Sequence, residues 1–131
     1  MVAAYLTVAD ILGLHEFIMS KTGYLPAPLR DEEGLESAVM RVQTAAYYED
    51  ADLIRQAAIL AVGISQGQAF VDGNKRTALI AMDTFSKENA SLFIGDDLMV
   101  VEYLVRIAEE IDDRDEATNR FEAWLRNNVR S

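Results

Sequence analysis

The chain predicts an all-α domain, a bundle of about six helices, from three observations. Apolar residues recur every three or four positions through successive stretches separated by short polar or glycine-containing breaks. Both prolines, Pro26 and Pro28, lie in one loop rather than inside a helical pattern. The short apolar run Ser91-Leu92-Phe93-Ile94 is too brief to found a sheet.

The elements follow in order. Thr7-Val8-Ala9-Asp10 has the form of a capping box, and Ile11, Leu14 and Ile18 continue it at helical spacing until Gly23. His15, the only histidine, falls in this helix and reads as a surface or half-buried residue, with recruitment to an active site as the alternative. Tyr24 to Arg30 is the proline loop. A helix restarts at Asp31, where Asp31, Glu32 and Glu33 favour a first turn and Leu35, Val39 and Val42 recur. Tyr47 to Asp52 is a polar connection, either a solvated loop or a substrate-facing flap. Leu53, Ile54, Ala57, Ala58, Leu60, Ala61 and Ile64 cover more than one face, which predicts a buried central helix stopped at Gly67. A second core helix starts near Asn74, carries Leu79, Ile80, Met82 and Phe85, and ends near Asn89. Asp96 can cap a helix with Val100, Val101, Leu104, Val105, Ala108 and Ile111. Glu109 to Glu116 reads as an acidic loop, and a last helix presents Phe121, Trp124 and Leu125, with Trp124 as a core or docking residue.

At 131 residues and 50% hydrophobic content, residues 1–131 suit a single domain with its own core. The absence of cysteine excludes a disulfide framework, a thiolate metal site and a cysteine nucleophile. The start shows no basic leader with a long apolar core, and no run reaches the ~20 apolar residues of a membrane span. A cytoplasmic protein is the expectation. A net charge of −10 argues against direct binding to nucleic acid or an anionic membrane, and fits a solubilising surface or a basic protein partner.

The stretch Gln68-Ala69-Phe70-Val71-Asp72-Gly73-Asn74-Lys75-Arg76-Thr77 carries the chemistry. A polar turn runs into a helix whose first N–H groups and positive dipole end face the turn, an arrangement that receives an anion. Lys75 and Arg76 oppose the dipole there, a conflict that a bound anion removes. Gly73 allows a positive φ, and Asp72 is a hard oxygen ligand suited to Mg²⁺. Phe70 is expected to plug the turn into the core. The pattern is not a P-loop, because Gly73 is followed by Asn74 and no strand precedes it. Taken alone, these residues fit either a phosphate site or a structural turn.

The run Phe70 to Leu79 is similar to the signature of death-on-curing (Doc) toxins, a branch of the Fic/Doc superfamily, His-x-Phe-x-(Asp/Asn)-(Gly/Ala)-Asn-Lys-Arg-Thr. Gln68 stands where that family usually carries histidine. Leu14-His15-Glu16 resembles its Leu-His-Asp/Glu, and Arg30-Asp31-Glu32-Glu33-Gly34-Leu35-Glu36-Ser37-Ala38 resembles its Arg-Asp-x-Gly-Leu-x-Glu-Ser-Ala. For Arg30, Glu36 and Ser37, capping and packing stand beside ligand contact as readings. The resemblance covers roughly residues 10 to 108. It implies the all-α Fic/Doc fold, with the motif turn between two central antiparallel helices.

It also implies phosphoryl transfer from ATP, with Mg²⁺, to a hydroxyl of a translation elongation factor, and a cognate antitoxin whose Phd-like C-terminal segment folds onto the toxin. Fic relatives transfer AMP and carry Gly-Asn-Gly-Arg, so Lys75 favours the Doc branch. By carry-over Asp72 holds Mg²⁺, Gly73 and Asn74 line the anion hole, Lys75 and Arg76 bind phosphates, and Phe70 and Thr77 support the motif. Gln68 can orient a hydroxyl but lacks a basic lone pair usable near neutral pH. It fits a slow natural variant or one using another base, a non-catalytic descendant, or a laboratory change that disarms a toxin. The alternatives to a weakened kinase-like transferase are an antitoxin-binding regulatory module and a protein AMP-transferase.

Overall fold

The computed structural model describes residues 3–21, 29–89, 92–93 and 97–130. The helix stop expected at Gly23, the proline loop as far as Pro28 and the cap expected at Asp96 lie outside these residues. Six helices are present among the described residues, as expected: α1 (Val8–Lys21), α2 (Glu32–Tyr48), α3 (Leu53–Gly67), α4 (Asn74–Glu88), α5 (Asp97–Glu110) and α6 (Arg114–Arg126). Two-residue strands β1 (Leu92–Phe93) and β2 (Val129–Arg130) pair antiparallel, with Leu92 opposite Arg130. This pairing ties the chain end to the segment after α4 without adding a layer.

Side chains define most of the helix starts. Thr7 N–H donates to Asp10 Oδ2 at 2.8 Å and Asp10 N–H donates to Thr7 Oγ1 at 3.1 Å, the reciprocal box expected for α1. Asp31, Asp52 and Asp113 each accept an N–H from three residues on, capping α2, α3 and α6. The acidic run at 109–116 is not a loop. Glu109 and Glu110 close α5, residues 111–113 connect, and Asp115 and Glu116 occupy the first turn of α6. That turn favours acidic side chains through the helix dipole. Tyr47 and Tyr48 likewise belong to α2, which shortens the polar connection before α3.

α3 is the axis of the bundle. It packs on α2, α4, α5 and α6, and nine of its residues from Gln56 to Ser65 are buried. A helix buried on every side needs small residues where neighbours approach. At Gly63 an added Cβ would lie 3.3 Å from Ala38 Cβ of α2. α4 follows after residues 68–73 and lies along α3, so the two run antiparallel. Phe70, Phe85 and Phe121 are among the largest fully buried side chains. Trp124 is half-buried and stacks on Tyr103 (5.2 Å between ring centroids) and Phe121 (5.7 Å), docking α6 on α5.

A charged cluster clamps the start of α3 to the end of α6. Arg126 reaches Asp52 at 3.0 Å and Glu122 at 2.7 Å, and Arg55 reaches Glu122 at 2.9 Å. The hydrogen bond from Arg126 holds the Asp52 carboxyl below its ordinary value; burial opposes this, and the Arg55 N–H reinforces it.

Two outcomes follow from this packing. Gly63→Val should lower stability by about 1–3 kcal/mol through overpacking against Ala38, read as a lower urea midpoint at unchanged slope. Arg126→Ala should destabilise at neutral pH. The depressed Asp52 pKa makes its contribution present above the ordinary carboxylate pKa and lost as pH falls through the folded value. The gap between variant and parent in urea unfolding should therefore be wide at pH 7, about three units above the ordinary carboxylate pKa, and should narrow as pH falls through and below about 3. A gap independent of pH would exclude the clamp as its origin.

Candidate functional site

The turn between α3 and α4 is held by hydrogen bonds to three other parts of the chain. Gly67 is the last helical residue, and the left-handed position after it falls on Gln68 (φ 49°, ψ 43°). Gln68 carbonyl accepts from the Arg30 guanidinium at 2.8 Å. Ala69 carbonyl accepts from the N–H groups of Arg30 (2.6 Å) and Asp31 (3.0 Å), and Leu29 bridges Phe70. The Asn74 amide closes a ring on Phe70, with Oδ1 accepting from Phe70 N–H at 3.1 Å and Nδ2 donating to Phe70 carbonyl at 2.8 Å. Asp72 carbonyl accepts from His15 Nε2 at 2.9 Å. Phe70 is the expected plug at 1% exposure.

Above this turn α4 opens without a side-chain cap. Its N-cap is Gly73 (φ 83°), the left-handed conformation that favours glycine. Thr77 N–H donates to Gly73 carbonyl at 2.9 Å, which starts the helix. The opening faces a cavity of about 370 Å³ lined by Arg30, Gln68, Val71, Asp72, Gly73, Asn74, Lys75, Arg76 and Val101. Three cationic side chains and one carboxylate line it, in a chain whose net charge is −10. An uncapped helix N-terminus with concentrated cations is a receptor for an anion of phosphate size. A larger cleft of about 650 Å³, with Tyr5, Tyr47 and Gln56 in its walls, has Asp52 as the only charged residue among its described lining residues, the wrong sign for a phosphate.

The sequence-selected residues meet here, with altered roles for two of them. Gln68, Asp72 and Arg76 are exposed, Lys75 is half-buried, and Thr77 is buried at the helix start. Asn74 borders the cavity, but both ends of its side-chain amide serve Phe70, so it shapes the turn. Gly73 N–H donates to Asp72 Oδ1 at 2.8 Å and is engaged within the turn. The anion would therefore meet chiefly the first N–H groups of α4 and the three cations.

No group of three or more His, Cys, Asp or Glu side chains placed for a metal ion occurs among the described residues. Asp72 offers one carboxylate, a donor set suited to Mg²⁺ that arrives on nucleotide phosphates and keeps several waters.

Two residues that the sequence left between alternatives acquire definite places. His15 is buried at 3% exposure rather than surface or half-buried as expected, and stacks flat on Phe70 with ring centroids 3.7 Å apart and planes 7° apart. Only a tertiary contact reveals this, because 57 residues separate His15 from Asp72. Arg30 lines the cavity while holding Gln68, whereas Glu36 and Ser37 are exposed on α2. A cation just before the Asp31 cap was the available signal.

Comparisons with known proteins identify the family. The model of the Fic/DOC family matches residues 5–86. The chain is similar to the protein kinase doc of Escherichia phage P1, with 33% identity over 86 residues, covering 65% of this chain and 68% of that protein. The matched region contains the stacked His15–Phe70 pair, the turn and the uncapped start of α4. The chain belongs to the Fic/DOC family.

Proposed function

We propose that this chain is a Doc-type toxin that transfers the γ-phosphoryl group of ATP to a hydroxyl of a translation elongation factor. The observation that carries the reading is the uncapped start of α4, opening into a cavity lined by Arg30, Lys75 and Arg76 with Asp72 at the same turn. Phosphoryl transfer depends mainly on positioning and on neutralising phosphate charge. The acceptor oxygen forms the new P–O bond, the bond to the ADP oxygen breaks, and the hydroxyl proton leaves to water or to a phosphate oxygen. Lys75, Arg76 and the first N–H groups of α4 hold the phosphates. Asp72 would hold Mg²⁺, which would offset the charge of the nucleotide phosphates. Elongation factor as acceptor and ATP as donor follow from the family resemblance.

Gln68 lines the cavity at the family's histidine position, but its amide orients a hydroxyl without accepting its proton. His15 does not replace it, since its ring is buried and its Nε2 is engaged at Asp72. The reaction on this chain is therefore slow. Gln68 also favours a second reading, a non-catalytic module that binds an antitoxin. A groove of about 370 Å³ between α1 and α4, with Phe17, Ile18, Leu79 and Ile80 beside Lys21 and Arg76, suits a segment with apolar anchors and an acidic group.

The test uses γ-labelled ATP, Mg²⁺ and purified elongation factor. Gln68→His should raise label transfer by about 10²–10⁴-fold, the worth of a general base. In that background Lys75→Ala or Arg76→Ala should lower it by about 10- to 100-fold, as loss of one charge-assisted phosphate contact requires. No transfer by the histidine variant would favour the antitoxin-binding module. A mass gain on the acceptor of about 329 Da rather than about 80 Da would show AMP transfer in place of phosphoryl transfer.

A further inference from the structure

We propose that His15 is a positioning residue of the site, locking the peptide between Asp72 and Gly73 so that the Asp72 carboxylate is aimed for a metal–nucleotide complex. The inference rests on the phosphate-site reading above and assigns a role that the reaction itself does not require of a histidine.

The argument begins with one peptide plane. Its carbonyl belongs to Asp72 and accepts from His15 Nε2 at 2.9 Å. Its N–H belongs to Gly73 and donates to Asp72 Oδ1 at 2.8 Å. A carbonyl only accepts, so Nε2 carries a proton and donates it to this plane. Rotation of this plane would break both bonds together. The carboxylate whose Oδ1 is bound by that N–H is thereby oriented by a side chain on another helix.

The imidazole is itself confined. It lies flat on Phe70, and a Cβ at Gly73 would sit 3.4 Å from its Cδ2 and Nε2 and 3.0 Å from Met19 Sδ. His15 therefore meets the turn at residues 70 and 72 and lies beside Gly73, and the turn cannot slide on α1 without losing the stack. Phe70 is in turn fixed by Asn74. Glycine at 73, with φ 83°, tolerates either orientation of the preceding peptide better than another residue would, so an external donor is what selects one. Groups that orient a metal ligand from behind are typically worth about 10- to 100-fold in metal affinity.

Two substitutions separate this role from packing. His15→Phe keeps an aromatic ring for Phe70 and removes the donor, whereas His15→Gln places an amide nitrogen near the position of Nε2. Binding of ATP would be measured by calorimetry with Mg²⁺ and with EDTA, and exchange of the Gly73 amide hydrogen by NMR without ligand. His15→Phe should weaken Mg²⁺–ATP by about 10- to 100-fold, leave metal-free ATP nearly unchanged and speed Gly73 exchange relative to the rest of α4. His15→Gln should recover both readouts in large part. Equal weakening with and without Mg²⁺, or no recovery by glutamine, would reduce His15 to packing and overturn the proposal. If the parent chain binds ATP in neither condition, the phosphate-site reading fails and the proposed metal role fails with it, whatever the exchange shows. If it binds ATP but Gly73 exchange is unaltered in His15→Phe, only the lock is refuted.

Discussion

A turn that enters a protein core must find partners for its own backbone, and the two hydrogen bonds between Asn74 and Phe70 meet that requirement at the deepest point. Phe70 is buried at 1% exposure, so its N–H and C=O lie beyond the reach of bulk water. An unsatisfied buried polar group costs about 1–3 kcal/mol, comparable with the roughly 1.5–3 kcal/mol gained by burying the ring. Without the Asn74 amide the plug would bring little net stability. The remaining carbonyls are shared among other elements: Gln68 and Ala69 face the segment before α2, and Asp72 faces α1. The turn is thus held from three sides while α4 itself opens with no side-chain cap.

That division of partners creates the electrostatics of the site. Arg30 is drawn to the cavity by the Gln68 carbonyl, and Lys75 and Arg76 are placed there by the first turn of α4. The surrounding chain is strongly acidic, yet its distant carboxylates act through salt solution with a screening length of about 8 Å. Nearby cations therefore set the local potential for a phosphate. On the proposed reading, a metal carried by the nucleotide would reduce the charge that the acidic surface repels and would give Asp72 an opposite charge to face. The α3–α6 clamp of Arg126, Asp52 and Glu122 lies in a separate charged cluster and serves the bundle rather than this cavity.

Much of this was legible in the chain. Helical spacing located α1 to α6 because each buries a stripe or more, and Phe70-to-Thr77 announced its turn because glycine, amide and cations are costly in any other arrangement. What escaped was set by tertiary contact. The burial of His15 depends on Phe70 arriving from α3's far end, and no local pattern records it. α3 does stop at Gly67, but the left-handed conformation that follows falls on Gln68, whose carbonyl is held by a distant guanidinium. The acidic run from Glu109 looked like solvated loop because its charges, half ending one helix and half beginning another, share a composition but not a conformation. β2 pairs with β1 through two residues at the chain end, too few for a period to be read.

Position 68 shows how far scaffold and chemistry are separable here. Its backbone is left-handed, a conformation in which histidine is enriched among non-glycine residues, and its carbonyl is fixed by Arg30 whatever side chain it bears. The side chain is exposed, so exchanging imidazole for amide changes no core contact. On the proposed reading, the groups that position and neutralise phosphate are intact and the proton acceptor alone is absent. Positioning can supply about 7–11 kcal/mol of a barrier, whereas a general base contributes about 3–5 kcal/mol. The larger share lies in what the turn retains, and a site built this way is slowed rather than emptied of chemistry by Gln68.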